Sequence, residues 1–193
     1  MNLKRTATLA ILAAMASASA ANLDLVEGNS ASSVKVTIFS DLQCDYCQTL
    51  RVMLDEKLLP KYGSQVAFVH RDLPLGRHNW AHTAAMVSRW VYEQDPRLAI
   101  IFQRELLDEQ QHITAASLKS WVTEFAARNK LSDQGITAAM TDPRLSVLVD
   151  GDVQIATTRG ITKVPTVVVG NKTFSETIVY DDVARAIDQA LPH

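Results

Sequence analysis

The two cysteines are the residues of this chain whose types and spacing are most informative about chemistry. Cys44 and Cys47 are the only cysteines among 193 residues, and they lie three positions apart. A disulfide between such close positions closes almost no loop, so it stabilises a fold by only about 2 kcal/mol in the chain-entropy model. Two thiols also fall short of the four ligands that a structural zinc site needs. The spacing therefore favours redox chemistry over a structural role.

The cysteine pair lies at the junction of a strand pattern and a helix pattern. Residues 34–39 are β-branched and apolar and predict a buried strand, and residues 44–59 predict a helix. The first turn of a helix presents unpaired N–H groups and the positive end of the dipole, which favour a thiolate over a thiol. We therefore expect Cys44 to be the exposed, attacking thiolate and Cys47 the more buried thiol that resolves a mixed disulfide.

The remaining patterns predict an α/β domain that surrounds this junction. An edge strand is expected at about 23–27 and a second buried strand at 65–70, followed by a block of about four helices, a β-hairpin and a closing helix. The expected helices cover 78–92, a segment from Asp95-Pro96, 114–128 and a segment from Asp142-Pro143, and the hairpin strands cover 166–169 and 172–174. Trp80, Trp90 and Trp121 are expected in the core.

The first twenty residues have the layout of a secretory signal peptide. Lys4 and Arg5 precede an apolar run at 7–16, which is too short to span a bilayer, and Ala18-Ser19-Ala20 is a small-residue cleavage motif. Cleavage after Ala20 removes two basic and no acidic residues, so the net charge changes from −2 to −4 and one domain remains at 21–193. An acidic chain without a basic stripe argues against nucleic acid as a partner. The sequence therefore predicts a soluble protein of the periplasm.

Three segments resemble motifs of the DsbA-like thiol-disulfide oxidoreductases, a family with a thioredoxin fold. Residues 39–47, F-S-D-L-Q-C-D-Y-C, are similar to the family signature F-S-D-x-Q-C-P-Y-C. Residues 71–75, R-D-L-P-L, are similar to R-x-x-P-L, and residues 160–166, G-I-T-K-V-P-T, to G-V-x-x-T-P-T. The resemblance implies an α/β, thioredoxin-like fold with a helical insertion, at about 78–159, between the second strand and the C-terminal β-hairpin.

The resemblance also implies the surroundings of the cysteine pair. In this family the proline of the last motif is cis and lies against the cysteines, and we carry that role to Pro165. A cis bond removes an amide hydrogen from the site and lets the backbone of Val164 pair with a substrate strand. Tyr46, inside the cysteine motif, is expected to contact substrate. No metal and no dissociable cofactor are expected, because the disulfide itself carries two electrons.

The implied partners are cysteine-containing secreted polypeptides and a membrane redox partner that regenerates the oxidised form. The closest alternative is a reductase or isomerase of the same fold. Isomerases of this kind are often dimers built by an added N-terminal domain, and the lead-in at 21–33 is too short for one, which favours a monomer. A second alternative, from another class, is a periplasmic protein that holds a soft ion such as Cu(I) between the two thiolates.

Two positions depart from the family pattern. Asp45 replaces the usual proline after the first cysteine, and its carboxylate is expected to raise the Cys44 pKa by roughly 0.5 to 2 units and to weaken the protein as an oxidant. Many thioredoxin-fold proteins carry a buried carboxylate six residues before the first cysteine, where it serves proton transfer to the resolving thiol. Ile38 occupies that position here. Asp41 lies closer in sequence but need not point the same way.

Three histidines are weaker candidates. His78 and His82 are spaced i, i+4 on a predicted helix and could face one metal ion, but no third ligand is identifiable, so a surface or core-edge role is expected. His70 ends the second predicted strand. It could lie near the cysteines, or it could simply be solvated at the strand end.

Overall fold

Five strands form the sheet of this protein, whose computed structural model describes residues 24–192. The predicted signal peptide lies outside the described residues. The strands are β1 (Leu25–Gly28), β2 (Lys35–Ser40), β3 (Ala67–Asp72), β4 (Thr166–Val169) and β5 (Lys172–Ser175). Their order is β1-β3-β2-β4-β5, with β2 and β3 parallel and the other pairs antiparallel. The strand that leads to the cysteines, β2, is therefore the central strand.

The helices lie in the connection between β2 and β3, in the long insertion between β3 and β4, and at the C-terminal end. The first connection contains α1 (Asp45–Met53), a π-helical turn (Leu54–Leu58) and α2 (Leu59–Tyr62). The insertion between β3 and β4 contains α3 (Ala81–Gln94), α4 (Pro96–Glu109), a 3₁₀ turn (Gln110–His112), α5 (Leu118–Arg128), α6 (Asp133–Ala139) and α7 (Pro143–Thr158), and α8 (Tyr180–Ala190) closes the fold. Within residues 24–192, none of these helices combines the length and apolar character that crossing a bilayer requires.

Alternation along β2 divides the interior into two cores. Val36 and Ile38 point to one face of the sheet, where they pack with residues of α1, the π-helical turn and α8. Phe39 points to the opposite face and packs with the insertion, including Trp80 and Phe102. Because successive side chains of a strand point to opposite faces, one strand supports both layers. The cysteines follow directly at the end of this doubly buried strand.

The predicted α/β fold class, with a helical insertion between the second buried strand and the hairpin, is confirmed. Asp95 and Asp142 cap their helices as expected, by accepting from the backbone N–H groups of Arg97 and Arg144. The insertion has five α-helices rather than about four, because α6 was not predicted. That helix is short and has a glycine in its first turn, so its sequence pattern is weak, although Ser132 caps it.

Two predicted helix boundaries were wrong in ways that matter for the site. The first helical segment continues past Pro60 to Tyr62, because Pro60 is the second residue of α2, where a missing N–H is tolerated. The helix predicted at 78–92 corresponds to α3, which starts at Ala81 rather than at His78. His78 therefore lies in the loop before α3, and its side chain is not on a helical face with His82.

A buried ionic cluster links α1 to the edge of the sheet. The Glu27 carboxylate on β1 lies 2.5 Å from Arg51 Nη1 on α1, 2.8 Å from His70 Nε2 on β3 and 2.9 Å from Arg104 Nη2 on α4. Burial alone would raise the pKa of Glu27, but the hydrogen bonds and charges of His70 and Arg51 outweigh it and lower the pKa to about 2. Glu27 is therefore ionised in the folded protein throughout the physiological range.

Replacing Glu27 by Gln should destabilise the protein near neutral pH, with a loss that shrinks in acid. The folded-state pKa is about 2 against an ordinary 4.5, so the stabilisation is complete above about pH 4.5 and is lost as the pH falls toward 2. That difference corresponds to about 3 kcal/mol. Urea unfolding from pH 7 to pH 3 measures it, with the exposed Glu56→Gln as control. A pH-independent gap between wild type and Glu27→Gln would contradict the assignment.

Candidate active site

Cys44 occupies the N-cap position of α1, four residues after β2 ends. Its own backbone N–H donates to the Asp41 carbonyl at 3.1 Å, which closes the turn between strand and helix. The two cysteines are not joined by a disulfide, and both are buried, with 5% of Cys44 and 2% of Cys47 exposed. The prediction that Cys44 is exposed was therefore wrong, because the insertion and the loop before β4 cover it.

The surroundings of Cys44 favour its thiolate. They lower its pKa from an ordinary value of 9.0 to about 6, chiefly through a hydrogen bond from the Cys47 thiol, against the opposing effect of burial. The backbone N–H groups of Cys47 and Tyr46, in the first turn of α1, lower the pKa further. The leading charge that opposes the thiolate is the Asp41 carboxylate. At neutral pH Cys44 is consequently mostly ionised.

Cys47 has the opposite character. Burial raises the pKa of its thiol far above the ordinary value, and the hydrogen bond to Cys44 and the charge of Cys44 raise it further. The Asp41 backbone N–H donates to Cys47 Sγ at 3.4 Å and partly offsets these effects. The pair thus holds one thiolate and one protonated thiol, as an attacking and a resolving cysteine require.

The loop before β4 lies against Cys44. The Val164–Pro165 peptide bond is cis, as the family resemblance implies. The Cys44 sulfur lies 3.9 Å from the Val164 carbonyl oxygen and donates to it when Cys44 is protonated. On the far side, the Pro165 carbonyl accepts from the Glu176 backbone N–H at 2.8 Å, so residues after β5 hold the loop in place. The catalytic role of Pro165 and the substrate-binding role of Val164 stay predictions.

Tyr46 is the most exposed aromatic residue near the cysteines. Its side chain is 64% exposed and borders a groove of about 180 Å³. Thr49, Met53 and Ile178 line the same groove, together with other residues of α1 and of the segment after β5. An exposed ring beside an apolar groove suits contact with a peptide substrate, and this role of Tyr46 also stays a prediction.

Comparison with known proteins places the fold. A family model described as Thioredoxin matches residues 21–189. The chain belongs to the thioredoxin family. No match was found among curated proteins.

Solved structures with the same thioredoxin fold include several DsbA-type proteins. The thiol-disulfide exchange protein α-DsbA2 from Wolbachia pipientis has 19% identity and a TM-score of 0.71, with 85% of each chain covered. A thioredoxin-like oxidoreductase from Silicibacter pomeroyi has 20% identity and a TM-score of 0.73, and oxidised BdbD from Bacillus subtilis has 19% and 0.73, with 87% of this chain and 92% of the other covered in both cases. The predicted resemblance to DsbA-like thioredoxin-fold proteins is therefore confirmed.

In this thioredoxin-family site, Asp41 points inward and is fully buried. Its Oδ1 accepts from the Gln43 backbone N–H at 2.7 Å, and its Oδ2 accepts from the Leu75 backbone N–H at 2.7 Å. The same Oδ2 lies 2.7 Å from His78 Nδ1. Sequence reasoning left the direction of Asp41 open and missed this pairing. Asp41 lies within the first matched family motif and His78 just after the second, and this was the one sequence feature that could have suggested the pair. The two residues are 37 positions apart, so no local pattern predicts their contact.

His82 has a different environment from His78. Its Nε2 lies 3.2 Å from the exposed carboxylate of Asp150, at the protein surface. The two histidines therefore do not share one site, which confirms the surface role expected for His82. Among the residues that the structure describes, no group of three or more metal-ligating side chains is placed to hold a metal ion.

His70 is buried beside the resolving cysteine, so solvation at a strand end is the wrong interpretation. It lines a cavity of about 20 Å³ together with Ile38, Ser40 and Cys47, among other residues. The register of the sheet explains this position, because His70 lies opposite Ile38 on the parallel strand. The cavity is large enough for about one water molecule.

Asp45 is exposed and is held by the insertion. Its Oδ1 accepts from Gln111 Nε2 at 2.5 Å, and the neighbouring Gln110 Nε2 donates to the Cys44 carbonyl at 3.4 Å. The 3₁₀ turn therefore contacts both the first cysteine and the residue after it. Asp41 is the leading carboxylate that opposes the Cys44 thiolate, and a tuning role of Asp45 stays a prediction.

Alkylation of the reduced protein tests the ionisation of the two thiols. A brief pulse of iodoacetamide should label Cys44 well before Cys47, and the labelling rate should be half-maximal near pH 6. Cys47→Ala removes the thiol donor and should move this midpoint upward, whereas Cys47→Ser keeps a hydroxyl donor and should move it less. Mass spectrometry of labelled peptides reports the sites. Preference for Cys47, or a midpoint near 9, would refute the assignment.

Asp45→Pro tests the tuning role of the acidic residue. The change removes a charge and keeps a residue that suits the first helical position, so the Cys44 pKa should fall by roughly 0.5 unit or more. Thiolate absorbance at 240 nm against pH measures the shift. Gln111→Ala is the matched control, since it frees the Asp45 carboxylate without removing its charge. An unchanged or higher pKa in Asp45→Pro would show that Asp45 has no tuning role.

Proposed function

We propose that this protein is an extracytoplasmic thiol-disulfide oxidoreductase that oxidises cysteines of secreted polypeptides. The observation that carries the proposal is the Cys44 thiolate at the N-terminus of α1, with the protonated Cys47 thiol donating to it. Membership of the thioredoxin family supports it, as does the shared fold with proteins described as thiol-disulfide exchange proteins and oxidoreductases.

The reaction needs only the sulfurs of the pair and of the substrate. A substrate thiolate attacks Cys44 of the oxidised pair, so a substrate–Cys44 disulfide forms while the Cys44–Cys47 bond breaks. Cys47 leaves and takes up a proton, which its raised pKa favours. A second substrate thiolate then attacks the substrate sulfur of the mixed disulfide and releases Cys44 as a thiolate. Two electrons have passed from the substrate to the cysteine pair.

The ionisation of Cys44 supports oxidation as the favoured direction. With a pKa of about 6, its ionisation at pH 7 stabilises the reduced protein by about 1.4 kcal/mol. That energy raises the reduction potential by about 30 mV for a two-electron couple. A more stable reduced form makes the oxidised protein a stronger acceptor of electrons. A reductase or isomerase would instead be favoured by a reduced form that is less stable relative to the oxidised form.

The compartment and the partners are parts of the same proposal. Residues 1–20 support export as a signal peptide, with residues 21–193 as the mature, monomeric domain. Disulfides form and persist in an oxidising compartment, which newly exported polypeptides enter with their thiols still free. Each turnover leaves the pair reduced, so an electron acceptor must reoxidise it, and we assign this step to a membrane redox partner. Neither a metal nor a dissociable cofactor takes part in the proposed cycle.

Trapping in cells tests whether polypeptides exchange disulfides with Cys44. Cys47→Ser, expressed with its native N-terminus, should accumulate mixed disulfides in the extracytoplasmic fraction. They form when the Cys44 thiolate attacks a disulfide of a polypeptide and displaces one of its sulfurs, and they persist because serine cannot attack Cys44 to release the polypeptide. Cys44→Ser is the matched control and should accumulate none. Non-reducing gels and mass spectrometry identify the complexes.

The redox state of the wild-type pair decides between the proposal and its rival. Acid quenching and alkylation should find the pair mostly oxidised in cells. A mostly reduced pair would favour a reductase or isomerase. Failure of Cys47→Ser to trap any polypeptide would reject protein substrates altogether.

A further inference from the structure

Asp41 presents a buried negative charge to a pair of cysteines that must itself hold a negative charge. Its side chain has no exposed surface, and its carboxylate raises the pKa of Cys44. Two backbone N–H groups, of Gln43 and Leu75, donate to it at 2.7 Å. The Asp41 carboxylate and the Cys44 thiolate are therefore two negative charges close together at the end of β2. Hydrogen bonds that stabilise the charge of Asp41 consequently affect the stability of the Cys44 thiolate.

His78 is the side chain that completes the hydrogen bonding of this carboxylate. Its Nδ1 lies 2.7 Å from Asp41 Oδ2, and its side chain is 15% exposed. An ionised carboxylate only accepts hydrogen bonds, so Nδ1 carries a proton and donates it. Cys44 and Cys47 are titratable groups next to Asp41, on the side of α1. His78 approaches from the loop before α3 and links the insertion to the cysteines.

We propose that His78 is a positioning residue of the cysteine pair, which donates from Nδ1 to Asp41 and thereby sets how readily the Cys44–Cys47 disulfide accepts electrons. The inference rests on the proposed function and deepens it. The His78 side chain hydrogen-bonds to Asp41 rather than to either cysteine, so it acts through Asp41, whose backbone N–H also donates to Cys47 Sγ. Without the donor, the Asp41 charge acts more fully on Cys44, and the reduced protein loses stability relative to the oxidised one.

A matched pair of substitutions separates the hydrogen bond from mere occupancy of space. In His78→Asn the side-chain amide nitrogen takes the place of Nδ1 and retains the donor. In His78→Leu the volume is nearly kept and the donor is lost. Should the Leu variant not fold, His78→Gln replaces it, since its amide reaches the Nε2 position instead. His82→Asn, which changes a surface histidine four residues on, is the control for an unrelated histidine.

Two readouts are compared for each folded variant. Absorbance at 240 nm against pH gives the Cys44 pKa of the reduced protein, and equilibration with glutathione gives the redox equilibrium constant. His78→Leu should raise the Cys44 pKa by about 0.5 to 1 unit and shift the equilibrium at pH 7 about 3- to 5-fold toward the oxidised protein. His78→Asn and His82→Asn should stay close to wild type in both readouts.

The proposal is overturned if His78→Leu leaves the Cys44 pKa unchanged, or if His78→Asn shifts it as far as His78→Leu does. The pKa is measured on reduced protein without any substrate. Failure of Cys47→Ser to trap polypeptides would therefore reject the proposed function, while the comparison between His78 variants would still test the link from His78 to Cys44.

Discussion

A sulfur anion held almost out of water is the constraint on which this structure depends. Cys44 is 5% exposed, yet its surroundings favour the charged form. Burial of a charge is costly unless hydrogen-bond donors and dipoles replace the lost water. Those donors come from α1, which supplies its N-terminal N–H groups and the Cys47 thiol. The helix must therefore begin at residue 45, and the strand before it must end within a few residues of that point.

The same end of β2 also carries the opposing charge. Asp41 is fixed by the backbone N–H groups around it and by His78, so its distance from the cysteines is set by hydrogen bonds rather than by free rotation. The N-terminus of α1 thus stabilises the Cys44 thiolate, and the Asp41 carboxylate, three residues earlier, destabilises it. A balance of this kind gives an intermediate Cys44 pKa of about 6 rather than an extreme one. The remainder of the fold holds Asp41 and Cys44 at fixed positions relative to each other.

Local patterns predicted the parts of the molecule that local physics decides. The β-branched run before the cysteines, the capped helices at Asp95 and Asp142, and the hairpin at residues 170–171 were all located from sequence. The family motifs predicted the cis bond before Pro165, which composition alone would not have done.

What the sequence could not provide depends on contacts between distant segments. The burial of Cys44 comes from the insertion and from the loop before β4, which are more than 60 positions away in sequence. The Asp41–His78 contact depends on a loop that was predicted to be helix, and a helical His78 would have faced elsewhere. The position of His70 beside Cys47 follows from the register of β2 and β3, which no local pattern encodes.

The 3₁₀ turn that ends α4 has a consequence for how this protein can vary. Gln110 donates to the carbonyl of Cys44, and Gln111 donates to the side chain of Asp45, so two adjacent amides of the insertion contact the first two residues of the cysteine motif. The insertion is therefore not an interchangeable module. A chimera that carries the helices of a relative keeps the geometry around the nucleophile only if amide donors occupy these two positions. The outer faces of the same helices are free of that requirement and can diverge.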